Sequence, residues 1–253
     1  MQILENMTTI AARLQATQAA IQAAMTKAGR MEDRISLVAV SKTQPAAAIR
    51  SAFAAGQKLF GENYVQEAIE KQGELADLDI EWHFIGPIQS NKTQQIAQHF
   101  SWVHGIDRLK IAQRLNDARD ASMPPLQVCI QVNISGEHSK SGILPDEVTE
   151  LAKAVQALPR LRLRGLMAIP APSADPAFLH GQFADVREIY QRLNDQGFAL
   201  DTLSMGMSDD FAIAIAEGAT IVRIGSAIFG ARSKPATGST PPDQPQQSKA
   251  TTA

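Results

Sequence analysis

Eight short β-branched runs, separated by stretches rich in Ala, Gln and Glu, constrain the fold of this chain more than any other feature. The runs are Leu37–Ser41, Lys58–Gly61, Trp82–Ile85, Trp102–Gly105, Gln127–Asn133, Leu163–Ala168, Leu203–Gly206 and Thr220–Ile224. Helices are predicted after seven of them, starting near Pro45, Asn63, Ser90, Asp107, Pro145, Pro176 and Ser208, several with a cap residue or first-turn proline. Ahead of the first run, Ile3, Met7, Ile10, Leu14, Ile21 and Met25 share one face of an amphipathic helix that ends near Gly29. Eight strands alternating with helices predict an α/β protein with a single (β/α)8 TIM-type barrel and an extra N-terminal helix. Such a barrel carries its site at the C-terminal ends of the strands. An open doubly wound sheet is the alternative. No G-x-G-x-x-G follows the first strand and no G-x-x-x-x-G-K-[ST] occurs, so two common nucleotide signatures are missing.

Composition changes after Arg232. Residues 233–253 hold four prolines and no Leu, Ile, Val, Met or aromatic residue, so a disordered tail is expected there and a folded domain over residues 1–232. A net charge of −2 provides no field for nucleic acid or an anionic membrane, leaving a small molecule as the default partner. The single cysteine, Cys129, excludes an internal disulfide framework and multi-cysteine metal sites. No stretch reaches the ~20 apolar residues of a membrane span, and the first ten residues do not read as a secretory signal. A cytoplasmic, unprocessed protein is expected.

Three segments carry candidate chemistry. Lys42 stands at the C-terminal lip of the first strand, where an apolar surround would disfavour its ammonium form and make a nucleophile of it. Taken alone, it reads first as a solvated strand-end lysine, since most lysines are exposed. Ser208, with Asp209 and Asp210, reads as the cap and first turn of a helix that could meet a phosphate. In Thr220–Ser226, alternation puts Arg223 inside the barrel if Val222 and Ile224 meet the helices, with either an interior acid or a ligand as its partner. Gly225 permits close backbone approach and Ser226 adds a hydroxyl. Loops after strands seven and eight form the common phosphate site of barrels. A reactive amine, a phosphate cradle and a cationic donor are the parts that pyridoxal 5'-phosphate (PLP) needs.

The segments VAVSKTQP, LFGENYVQEA, WHFIGPIQSNK, VNISGEHSKSGI, LRGLMAI and LSMGMSDDFAIAIAEGATIVRIGSAIFGAR resemble the pyridoxal phosphate homeostasis protein family, and through it the barrel of alanine racemase. The resemblance covers essentially residues 1–232. It implies that Lys42 holds PLP as a Schiff base, that Ser208, Gly225 and Ser226 surround its phosphate, and that Arg223 donates to the pyridine nitrogen. It also implies ligand-facing positions for Asn63 and His83 and a pocket-lining Met205, with Ser226 standing where members often have threonine. The implied role is a monomeric, cytoplasmic PLP-binding protein that buffers or delivers the cofactor and maintains vitamin B6 and amino-acid homeostasis. PLP-dependent apoenzymes are the implied partners, with no nucleic acid or membrane and little or no turnover, so no residue is assigned as catalytic.

The alternative is a PLP-dependent fold-type III enzyme such as an amino-acid racemase. Racemases of this kind take a catalytic tyrosine from a second, β-rich domain. The 21 residues after Arg232 cannot form one, and neither Tyr64 nor Tyr190 sits in a matching segment. A Ser–Lys hydrolase using Ser41–Lys42 or Ser139–Lys140 is a third class. Adjacent strand residues face opposite ways, which makes Ser41–Lys42 a poor dyad. Lys140 reads as a solvated loop lysine, with an accessory amine as the alternative, and Arg160, Arg162 and Arg164 as a solvated face. His99, His104 and His180 lack the close spacing of a metal site and receive no ligand role.

Overall fold

The structure, a computed structural model, describes residues 9–137 and 141–230. Ile3, Met7, Ser139, Lys140, Arg232 and the tail 233–253 lie outside the described residues, as does the domain boundary placed at 232. Eight strands follow one another: β1 (Ser36–Val40), β2 (Leu59–Glu62), β3 (Glu81–Phe84), β4 (Trp102–Ile106), β5 (Leu126–Val132), β6 (Leu161–Ala168), β7 (Thr202–Ser204) and β8 (Ile221–Ile224). Each pairs in parallel with its neighbours, and β8 returns to β1 in the register Ser36↔Ile221 to Ala39↔Ile224. The sheet is a closed barrel, as predicted, and the open-sheet alternative falls.

The helices are α1 (Ile10–Lys27), α2 (Ala46–Ala54), α3 (Val65–Glu74), α4 (Thr93–His99, after a 3-10 turn at Ser90–Lys92), α5 (Leu109–Ala118), α6 (Val148–Gln156), α7 (Pro176–Asp195), α8 (Phe211–Ala216) and α9 (Ser226–Phe229). α2 to α8 each connect consecutive strands. After β8 the described residues make only the four-residue α9, too short to cover the seam between β8 and β1. α1 takes that place. Its apolar face, with Leu14, Ile21 and Met25 buried, packs on α2, α8 and α9. Two arginines fasten it: Arg13 Nε donates to the Ile228 carbonyl at 2.7 Å, and Arg30 Nη1 to those of Ile215 and Ala219 at 2.6 and 3.0 Å. The extra N-terminal helix thus serves as the eighth cover of the barrel.

Strand alternation divides the core in two. Val222 and Ile224 join the large sheet–helix core, whereas Val38, Trp102, Cys129, Met167 and Ile221 form a separate cluster inside the barrel. The barrel is therefore filled and is not a pore. Burial pushes the Cys129 thiol up to about 12, which makes it an inert packing group. One expectation fails here. Arg162 is exposed, but Arg164 is not part of a solvated face. A register shift between β5 and β6 at Val128/Cys129 turns Arg164 inward, over the Trp102 ring at 4.8 Å, where it bonds Gln127 at 2.8 Å and Asp201 at 2.6 Å.

Candidate functional site

Lys42 lies two residues beyond β1, at the C-terminal rim of the barrel, with its side chain partly buried. The backbone on both sides of it is held by a buried ionic cluster that the sequence reading missed. Lys71, on α3, donates from Nζ to the Ser41 carbonyl at 2.8 Å, to Glu62 Oε1 at 2.8 Å and to Glu67 Oε1 at 2.5 Å. Ser41 Oγ donates to the same Glu62 oxygen at 2.7 Å, and the Thr43 N–H to Glu67 at 2.6 Å. Thr43 has φ +63°, a left-handed conformation that a β-branched residue holds only where its surroundings enforce it. Glu62 is fully buried and its Oε2 has no hydrogen-bond partner. Burial raises its pKa even though Lys71 opposes the shift.

Arg223 faces the barrel interior, as the alternation predicted. Its partner is not an acid. Nη1 donates to the Ser204 carbonyl at 2.6 Å and to Ser204 Oγ at 2.7 Å, and Nη2 to the Ala168 carbonyl at 3.0 Å. A guanidinium carries five N–H donors, so these three bonds leave two for a ligand. Burial lowers its pKa to about 10, and it stays cationic at neutral pH. The loops that follow β7 and β8 come together as expected: Ser208 Oγ and Ser226 Oγ are 3.3 Å apart. Ser208 is not the helix cap, however. α8 starts three residues later, with Asp210 at its N-cap, and the buried Asp210 carboxylate turns back to accept from the Met207 N–H. A Cβ on Gly225 would lie 3.0 Å from the Val40 carbonyl oxygen and 3.2 Å from Val40 Cβ. Glycine lets the exit of β8 lie flush against the exit of β1, two residues before Lys42, where a larger residue would press on Val40.

Asn63, just after β2, presents a buried Oδ1 with no hydrogen-bond partner. With Ile85, Pro87, Gln131, Ser141 and Ile169 it lines a cavity of about 220 Å³ among the strand exits. A larger hollow of about 310 Å³ lies between α7 and the segment that follows β5, lined by Ile134, Pro145 and Ile189 among others and by no candidate residue. Two expected ligand-facing residues sit elsewhere. His83 is fully buried within the barrel, with Nδ1 2.9 Å from His104 and Nε2 2.9 Å from Glu81, because inward positions in the middle of a strand reach other strands rather than the rim. Met205 is fully buried in the sheet–helix core, since alternation gives the inward position to Ser204.

The remaining set fits PLP. It offers an amine on a fixed strand exit, paired hydroxyls beside a glycine cradle, an orphaned buried amide oxygen and a buried cation with donors to spare. Among the described residues no group of His, Cys, Asp and Glu could hold a metal ion, and no helix is long and apolar enough to cross a membrane. The inward Glu81, His104 and Ser204 were missed because alternation was read only in β8 and at Ser41–Lys42. Carried through β3, β4 and β7, it would have found all three.

Comparison with known proteins agrees with this geometry. The family described as "Alanine racemase, N-terminal domain" matches residues 12–233. The chain is 61% identical over 226 residues to the pyridoxal phosphate homeostasis protein of Pseudomonas aeruginosa, covering 89% of this chain and 97% of that one. It is 55% identical over 232 residues to the protein of the same name from Escherichia coli K12, covering 89% and 98%. Among solved structures, PipY of Synechococcus elongatus, determined with PLP bound, superposes with a TM-score of 0.77 at 38% identity, covering 88% of this chain and 100% of that one. Alanine racemase from Corynebacterium glutamicum shares the fold, with a TM-score of 0.62 at 19% identity over 88% of this chain and 63% of its own.

Proposed function

Because this chain belongs to the alanine racemase N-terminal domain family and, within it, to the pyridoxal phosphate homeostasis proteins, we propose that it binds PLP covalently through Lys42 and buffers or delivers it, with little or no turnover of its own. The observation that carries this reading is Arg223, a buried cation with two free donors, set between the clamped exit of β1 and the hydroxyl pair of Ser208 and Ser226. Bound there, PLP supplies an aldehyde that captures amines and a ring that draws electrons from them.

The residues divide that work. The Lys71–Glu62–Glu67 cluster fixes the backbone around Lys42, so its amine is presented at one place on the rim. Ser208, Ser226 and the Gly225 backbone receive the phosphate, and Asn63 offers its unpaired oxygen to a donor. Arg223 faces the ring nitrogen and donates without releasing its proton, which keeps the ring a weak electron sink. That disposition favours holding the cofactor over transforming an amino acid. Monomeric state, a cytoplasmic location, PLP-dependent apoenzymes as acceptors and a role in vitamin B6 and amino-acid homeostasis complete the proposal.

The test uses the purified holoprotein with L-alanine in heavy water, following α-deuteration and chirality by NMR. Borohydride should fix the cofactor onto Lys42, and α-proton exchange should be very slow. Turnover in the ordinary enzyme range of ~1–10³ per second would rule out the carrier reading. Slow exchange that Arg223→Glu accelerates would support the role given to the guanidinium.

A further inference from the structure

Five side chains form an unbroken hydrogen-bonded line across the barrel interior. Arg223 Nη1 lies 2.7 Å from Ser204 Oγ, which lies 2.7 Å from His104 Nδ1. His104 Nε2 lies 2.9 Å from His83 Nδ1, and His83 Nε2 lies 2.9 Å from Glu81 Oε1. His83, His104 and Ser204 are fully buried, whereas Glu81, the first residue of β3, is open to solvent at the N-terminal rim. The line thus joins the rim opposite the candidate site to the cation at its floor.

The chemistry of the two ends assigns every proton between them. A carboxylate only accepts, so His83 donates from Nε2 and its Nδ1 must accept. His104 therefore donates from Nε2 and accepts at Nδ1. Ser204 then gives its one proton to His104 and receives the arginine N–H on its oxygen. Burial, together with the neighbouring His83 and the Arg223 charge, holds His104 well below its ordinary pKa, so a second proton does not suit it. Every donor points from the guanidinium toward the carboxylate, the direction in which the two end charges polarise the groups between them. Trp102 holds the geometry by stacking on the His83 ring at 9° and 5.4 Å.

Apolar side chains fill the adjacent part of the barrel interior, so packing alone does not call for this polar row. We propose that Glu81, His83, His104 and Ser204 are positioning residues forming a relay that orients the Arg223 guanidinium and sets its strength as a donor. The proposal rests on the reading that Arg223 faces the cofactor's ring nitrogen. Glu81 is then a remote determinant of how the cofactor is held.

Two measurements test it. In full-length protein labelled with ¹⁵N-histidine, long-range N–H correlation spectra should show both rings neutral and protonated at Nε2. An Nδ1–H tautomer or an imidazolium at pH 7 would overturn the relay. With PLP added, Glu81→Gln and Ser204→Ala should each shift the visible absorption band in the same direction and weaken affinity about two- to tenfold. The double variant should be no worse than Ser204→Ala, while Ser204→Thr, which keeps the hydroxyl, should restore the band. Additive losses, or lower melting temperatures with an unmoved band, would reduce the line to packing. Glu188→Gln, an exposed charge on α7, is the control for a change of charge alone. If wild-type protein takes up no PLP, the functional reading fails, and the histidine spectrum still decides whether the line exists.

Discussion

At the scale of single residues, reactivity and stability reside in different lysines. Lys42 supplies an amine at the rim, whereas Lys71 neutralises two carboxylates, one of them fully buried. Lys42→Ala should abolish borohydride-fixable cofactor and leave unfolding within about 0.5 kcal/mol of wild type, as for most changes outside the core. Lys71→Met should do the opposite first. Removing one partner of a buried ionic cluster costs about 3–5 kcal/mol, so its urea midpoint should fall steeply. The freed Ser41–Thr43 backbone should then lower labelling of Lys42 as well. Gly225→Ala forces a methyl against Val40, and overpacking of that kind costs about 1–3 kcal/mol. PLP titration should show weaker binding that grows with the added side chain from Ala to Val.

At the scale of elements, α1 is part of the barrel rather than an appendage. Sequence periodicity revealed its apolar face, but nothing local says which surface that face covers. The answer depends on α9, whose four residues leave the β8–β1 seam open. Leu14 is fully buried there, and Leu14→Ala should destabilise the whole barrel by about 2–5 kcal/mol, read as one cooperative shift of the unfolding curve. A separate early transition for α1, with the barrel midpoint unchanged, would show instead that the helix is dispensable.

At the scale of the whole molecule, the polar interior links stability to pH. Burial depresses the pKa of both His83 and His104 below the unfolded value near 6.5, so the unfolded chain takes up protons that the folded barrel refuses. The stability they confer is complete above that value and drains away as pH falls through it. Melting temperature should therefore drop from pH 7.5 to 5.5, and drop less in His104→Gln. Glu62 and Asp210, whose pKa values burial raises, act in the opposite sense, which is why the variant comparison isolates the histidine contribution. The sequence by itself determined the eight strands, their helices, the inward side of Arg223 and the rim position of Lys42, because period and end signals are local properties of a chain. Residues 62, 67 and 71 gave no such signal. Their meeting with Ser41 and Thr43 depends on how β1 and β2 are registered and on where α3 packs. The turn of Arg164 and the line from Glu81 to Arg223 were likewise decided only by closure of the barrel, which sets strands distant in sequence at hydrogen-bonding distance and gives each inward side chain its partner.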